Sequence, residues 1–174
     1  DDVKLRLSYS TGISRPSYIE SRAAASIGII TQEITGGNPF LKEEESWGID
    51  AAFEWYYDEA SLFSVTVFHR EIDNVISESN SKVDGSLYSD SAEPGELWDL
   101  AAFGNGKDGE LQGLEISINA RMDNYIDGFF SGFGASLNVA LIESEYTTPE
   151  GKVFALPGQS DTNYNASVFY EDHG

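Results

Sequence analysis

The sequence predicts an all-β fold, an antiparallel up-and-down transmembrane β-barrel of which this chain supplies part. Three observations carry the prediction. Six runs alternate apolar and polar residues with the period of two that belongs to strands with unlike faces. Several of these runs exceed the five or six residues usual for a strand. Their connections alternate long, short, long, short and medium, as in a barrel with short periplasmic turns and long extracellular loops.

The first strand spans Val3 to Ser10, with Val3, Leu5, Leu7 and Tyr9 on one face and Lys4, Arg6, Ser8 and Ser10 on the other. A long connection, Thr11 to Glu45, carries the breakers SRP at Ser14–Pro16, GG at Gly36 and NP at Asn38, with a short helix around Tyr18 to Ala25. Strand two sets Trp47, Ile49, Ala51, Phe53, Trp55 and Tyr57 against Ser46, Gly48, Asp50, Ala52, Glu54 and Tyr56. A tight acidic turn, Asp58 to Ser61, leads to strand three. There Phe63, Val65 and Val67 alternate with Ser64, Thr66 and Phe68, and the run continues through Ile72 to Ile76.

Ser79 to Asp108 reads as a long loop with its own turns (DG at Asp84, PG at Pro94, NG at Asn105) and one helical turn at Glu96 to Ala102. Strand four, Glu110 to Asp123, alternates Leu114, Ile116, Ile118 and Ala120 with Glu115, Ser117, Asn119 and Arg121. A tight connection at Asn124 to Gly128 opens strand five, Phe129 to Tyr146. Its apolar face is Phe129, Phe133, Ala135, Leu137, Val139 and Leu141. After the loop Thr147 to Asp161, strand six (Thr162 to Glu171) alternates Tyr164, Ala166, Val168 and Tyr170 with Asn163, Asn165, Ser167 and Phe169.

The polar faces suit a wet lumen. The apolar faces end in Trp55, Tyr57, Phe63, Phe129 and Tyr170 beside the tight turns, where an interfacial aromatic girdle belongs. An antiparallel β-sandwich with one face in a core gives the same alternation and is the competing architecture. No run reaches the roughly 18 apolar residues of a membrane helix, which bears on helices only.

Composition narrows the function. Thirty acidic and ten basic residues give a net charge of −20, spread along the chain. Phosphate binding needs clustered Lys and Arg, so nucleic acid is not an expected partner. The chain has no Cys and two His, His69 and His173. Neither His has an evident partner, and no Ser/His/Asp or His-pair spacing points to catalysis or a metal. No cofactor is expected.

The candidate ligand contacts are Tyr88, Trp98 and Phe103, aromatics in a long loop that either stack on a ligand or pack the loop. Arg22 is a further candidate, for an anionic ligand. Glu43, Glu44 and Glu45 read as solvated loop acids, or as neighbours of the divalent ions that bridge lipopolysaccharide.

Four blocks, in order, carry a resemblance. RLSYSTGISRPSYIE, GNPFLKEEESWGIDAAFEWYY, SLFSVTVFHREIDNVI and NGKDGELQGLEISI resemble successive blocks of TonB-dependent outer-membrane receptors. The chain departs where Glu43 replaces a usual Pro and where His69 replaces a common aromatic. The resemblance implies about six strands of a barrel of about 22. Residues 1–174 would be one barrel segment, without the plug domain, the TonB box or the final strand. It implies a ligand-gated active transporter rather than an enzyme, set in the outer membrane of a Gram-negative bacterium. The implied partners are outer-membrane lipid and lipopolysaccharide, the TonB complex through the plug, and a scarce ligand. That ligand would be a ferric siderophore, another metal chelate or an oligosaccharide. A secreted glycan-binding β-sandwich and a passive porin are the alternatives.

Overall fold

The structure, a computed structural model, describes residues 2–59, 61–123 and 125–171. In chain order the elements are β1 (Val3–Ser14), α1 (Tyr18–Ser21), β2 (Ala25–Gly28), β3 (Glu33–Gly36), β4 (Glu44–Asp58), β5 (Ser61–Asp73), β6 (Ile76–Asp84), β7 (Leu97–Asn105), β8 (Gly109–Arg121), β9 (Phe133–Thr147), β10 (Val153–Phe154) and β11 (Thr162–Tyr170). Two 3₁₀ turns, Gly85–Leu87 and Gly128–Gly132, lie between them.

Six long strands form a wall in the order β1, β4, β5, β8, β9, β11, each antiparallel to the one before. These are the six runs read from the sequence, in sequence order, as an up-and-down meander requires. The short β10 adds two residues to the edge of β9. At one end the wall strands are joined by the Asp58–Ser61 turn and by the Met122–Gly132 connection; this is the turn end. At the other, three longer segments connect them; this is the loop end.

Strand limits differ from the sequence reading in ways the backbone explains. β1 runs on to Ser14, paired with Glu44, and stops where Arg15-Pro16 removes an N–H donor. β5 stops at Asp73 because Asn74 takes φ 58°, a left-handed conformation that Asn tolerates. Ile76 therefore opens β6 in another sheet instead of extending strand three. β9 starts at Phe133, since Phe129 and Phe130 sit in a 3₁₀ turn.

The long segments are more ordered than turn signals suggested. β2, β3, β7 and β6 form a second sheet in that order, joining two loops that are far apart in sequence. Its centre is a parallel ladder, Glu33↔Asp99, Ile34↔Leu100 and Thr35↔Ala101. Residues 97–102 are strand rather than the expected helical turn, because β pairing sets Trp98 and Leu100 together against Ile34. The helix expected after Ser17 is present but short. Ser17 caps it, with its hydroxyl accepting from Glu20 N and Glu20 accepting from Ser17 N.

The only clustered core among the described residues lies in this second sheet: Ile34, Ala92 and Trp98, with Val83 and Leu100 packed on it. The wall has no equivalent. Its apolar face is bare, with Leu5 and Leu7 each 79% and Val168 74% exposed. A soluble sandwich of this length would bury that face, because an apolar surface of such extent in water marks a missing partner.

The bare face forms a belt that crosses the sheet obliquely. On β1 it runs from Val3 to Ile13, centred near Ser8; on β9 it runs from Phe133 to Leu141, centred on Leu137; on β11 it runs from Tyr164 to Tyr170, centred on Ser167. Ser167 pairs with Ser136, Ser136 with Asn119 and Asn119 with Leu62, one residue beyond the Phe63–Trp55–Val3 row. The belt's centre thus falls by about six residues, or about 20 Å at the strand rise, across five strand spacings of about 24 Å in total. That ratio is a tilt of about 40°, inside the 35–45° at which strands cross a bilayer. A level apolar slab cutting tilted strands leaves this trace.

Candidate functional site

The wall's other face is polar and internally paired. Arg6 Nε and Nη2 donate to the two carboxylate oxygens of Glu54 at 2.8 and 3.2 Å. Tyr56 Oη donates to Glu54 Oε2 at 2.7 Å, and Lys4 Nζ lies 4.5 Å from the Tyr56 ring centre. Ser8 donates to Asp50 at 3.0 Å. These pairs follow from the register, which sets Lys4, Arg6 and Ser8 opposite Glu54, Ala52 and Asp50. Glycines admit rings on this face. A Cβ on Gly113 would come within 2.6 Å of the Phe68 ring, and one on Gly134 would collide with Phe169.

At the loop end, three connections are fastened into one cap. The Asn105 carboxamide accepts from Lys42 N at 2.8 Å and donates to Lys42 O at 3.0 Å and Asn74 O at 2.8 Å. Asn38 Nδ2 donates to Phe103 O at 3.1 Å, and its Oδ1 accepts from Phe40 N at 2.9 Å. Glu44 accepts from Ile76 N at 2.7 Å. The third connection joins through Ser79 Oγ donating to Glu150 at 2.6 Å and Pro149 packed over Gly104. The NP and NG signals are therefore staples between loops. Sequence reasoning gave them a local turn role only.

Two cap carboxyls are held below the ordinary range by hydrogen bonds to their charged form. Glu150 is lowered first by the Ser79 hydroxyl, then by its own amide, the Thr148 hydroxyl and the Asn80 amide. Asp84 is lowered by the Ser86 hydroxyl and amide and by the Gly95 amide.

The four candidate contacts occupy different places in this cap. Trp98 is 1% exposed; it packs the loop, the second of the two roles open to it from the sequence, with its ring against Gly85. Phe103 is half-buried on the opposite face of β7, five residues on, so the two rings share no surface. Tyr88 follows the 3₁₀ turn at Gly85–Leu87 and is 39% exposed. Arg22 ends α1, with its Nε enclosed and lacking a hydrogen-bond partner. The structure does not gather the four into one pocket.

His69, which has no evident partner in the sequence, has two in the fold. It sits on the bare face just beyond Val67, 3.5 Å from both Glu71 and Glu110, with the Trp47 ring 5.7 Å away. Trp47 Nε1 also donates to Glu71 at 3.2 Å, and Tyr9 stacks on Trp47. This is an aromatic and carboxylate rim at the loop edge of the belt. Among the described residues no three or more His, Cys, Asp or Glu side chains are placed so that they could hold a metal ion. His173 lies outside the described residues.

Comparison with known proteins agrees with the geometry. The siderophore receptor PirA from Pseudomonas aeruginosa superposes with a TM-score of 0.63 at 14% identity, covering 97% of this chain and 28% of that one. The ferric enterobactin receptor PfeA of Pseudomonas aeruginosa, as a Q482A mutant in complex with enterobactin, gives 0.71 at 18% identity, covering 98% and 24%. The Serratia marcescens hemophore receptor HasR, in complex with its hemophore HasA and heme, gives 0.60 at 18%, covering 96% and 27%. The chain thus spans about a quarter of the length of these structures, and at such identity they show the fold alone. No curated protein matches the sequence. The family model for TonB dependent receptor-like β-barrels matches residues 1–173, and with a tilted, bare apolar belt on one face and a paired polar face on the other, the chain belongs to that family.

Proposed function

We propose that this chain is a barrel segment of an outer-membrane transporter that takes up a scarce ligand by TonB-dependent, ligand-gated active transport, and that it has no enzymatic role. The ligand class is a ferric siderophore, another metal chelate such as haem, or an oligosaccharide. The apolar belt faces lipid, the polar face lines the lumen, the turn end faces the periplasm and the cap faces outward. One observation carries the reading: three outer connections are tied into a single folded cap beside a polar, hydrogen-bonded wall. A passive pore needs no such preformed mouth.

Ligand capture falls to the cap, with Tyr88, Phe103 and Arg22 as contacts and Trp98 as the residue that holds the surface in shape. Arg22 offers a guanidinium, a group suited to an anionic ligand. Energy arrives from the periplasm through a plug domain and the TonB complex.

The experiment is uptake by cells carrying the complete reading frame that encodes this chain. Ferric siderophores, haem and oligosaccharides are offered in turn, with and without TonB. The reading requires saturable import of one class that stops when TonB is deleted. Import that scales linearly with concentration and ignores TonB would mark a porin instead.

A further inference from the structure

Asn105 and Gly106 form the only Asn-Gly pair in the chain, and they stand where the first two outer connections are fastened together. The fold requires both residues. The Asn105 carboxamide accepts from Lys42 N and donates to Lys42 O and Asn74 O. Among side chains this short, only a carboxamide offers an acceptor and two donors together. Gly106 is fixed by space, because a Cβ there would collide with the Thr147 carbonyl, which also accepts from Lys107 N at 3.1 Å. The join therefore rests on the residue pair most open to attack from within the chain, since glycine has no side chain to keep its nitrogen from the preceding Cγ.

The folded chain keeps the reacting groups engaged elsewhere. Gly106 N donates to Val75 O at 2.7 Å, which occupies the nucleophile. The three carboxamide bonds hold Cγ in place, and Asn105 ends β7 in extended form, paired with Ile76. Attack needs this end of β7 to let go, a local opening rather than global unfolding.

We propose that Asn105 is a self-modification site, gated by opening of the cap, whose reaction unlocks the first connection from the second for good. In the opened cap Gly106 N gives up its proton to solvent base and attacks Asn105 Cγ. A C–N bond forms, the side-chain nitrogen leaves as ammonia, and a five-membered succinimide results. Water then adds to either ring carbonyl and breaks its bond to the ring nitrogen, leaving aspartate or isoaspartate. The net exchange is water in and ammonia out. Neither product restores the join. A carboxylate has no N–H for Lys42 O and Asn74 O. It also sets its charge near Glu44, which already accepts from Ile76 N, the register partner of Asn105. Isoaspartate further lengthens the main chain at the end of β7. This chemistry needs only the cap's own hydrogen bonds, whatever covers the wall.

The complete reading frame is reconstituted in phospholipid vesicles and aged at mildly alkaline pH, with a sample unfolded in guanidinium chloride aged alongside. Each is then denatured and digested fully with trypsin. The peptide Val83–Lys107 holds Asn105 as its only side-chain amide, so the mass gain of amide-to-acid conversion in it reads this site alone. Conversion is expected in both samples, slower in the folded one by roughly 10- to 100-fold. Trp98→Ala, which loosens the cap without touching the pair, raises the folded rate toward the unfolded one. Asn38→Ala reads the same should Trp98→Ala fail to assemble. Aged folded protein and Asn105→Asp are both cut after Lys42 faster than fresh protein. Equal rates in the folded and unfolded samples overturn the gate. Absence of conversion in the unfolded chain removes the site, and unchanged cleavage after Lys42 in converted protein overturns the unlocking.

Discussion

Replacing Trp98 with Ala tests whether the cap is a folded unit and whether this ring serves packing or ligand contact. Trp98 is the largest side chain in a core of three buried residues, and it bridges β7 to the Gly85 turn. Deleting a buried Trp ring costs about 3–5 kcal/mol, and the cap has little else with which to refill the space. At about 1.4 kcal/mol per decade, amide protection in the cap falls by roughly 100- to 4,000-fold. The assay is hydrogen exchange read by mass spectrometry on peptides covering 25–36 and 76–105, with the wall peptides 3–14 and 109–121 as internal standard. Cap peptides lose protection while wall peptides keep theirs, since local opening need not reach the wall. Unchanged cap exchange in Trp98→Ala refutes the argument. If ligand binding also disappears while exchange stays unchanged, Trp98 is a contact after all.

Three further outcomes follow from the same geometry. Asn105→Ala removes all three carboxamide hydrogen bonds to Lys42 and Asn74 and leaves their backbone groups unmet, a cost of about 1–3 kcal/mol. Tryptic cleavage after Lys42 accelerates accordingly in native vesicles. Glu150, lowered by Ser79, stabilises the join of the third loop above the ordinary glutamate pKa and loses that contribution as pH falls through its lower folded value. Exchange across 148–161 therefore rises in that acid window, and Glu150→Gln abolishes the pH step. Asp84, lowered by Ser86 and Gly95, behaves with the same sign at the β6–β7 turn, so Asp84→Asn loosens that turn at neutral pH.

Much of the wall was legible in the sequence because each strand records both of its environments. Runs such as Trp47–Tyr57 and Leu114–Arg121 alternate strictly, and residue parity alone assigned the side chains of these runs to their faces. The second sheet was not legible. β2 and β3 have four residues each, too few for a period to register, and β6 reads ISESNSKVD with scarcely an apolar residue. Its parallel ladder joins positions about 65 apart, a pairing that local pattern does not encode. The signal available was Trp98 and Leu100 on one side of a run whose other side holds Asp99, a half-buried strand. The hydrogen-bonding of Asn38 and Asn105 was hidden for a different reason, since Asn beside Pro or Gly serves turns far more often than long-range staples. The Met122–Gly132 connection was shortened by reading Phe129 as strand, because a 3₁₀ turn of apolar residues keeps the look of one.

The central claim is that a tilted bilayer slab, and not a core, covers the apolar face. Leu7 and Leu141 discriminate. Pairing links them along one register row, Leu7–Ala51–Val67–Leu114–Leu141. The tilt nevertheless places Leu7 near the middle of the belt and Leu141 at its loop-end edge, beside Glu143. Arg at the bilayer midplane costs about 2–4 kcal/mol and about 0–1 near an interface. Equilibrium unfolding of the complete reading frame in vesicles should therefore show Leu7→Arg strongly destabilising and Leu141→Arg nearly neutral. Equal costs, or the larger cost at Leu141, would contradict a lipid-covered face and return the chain to a buried sheet.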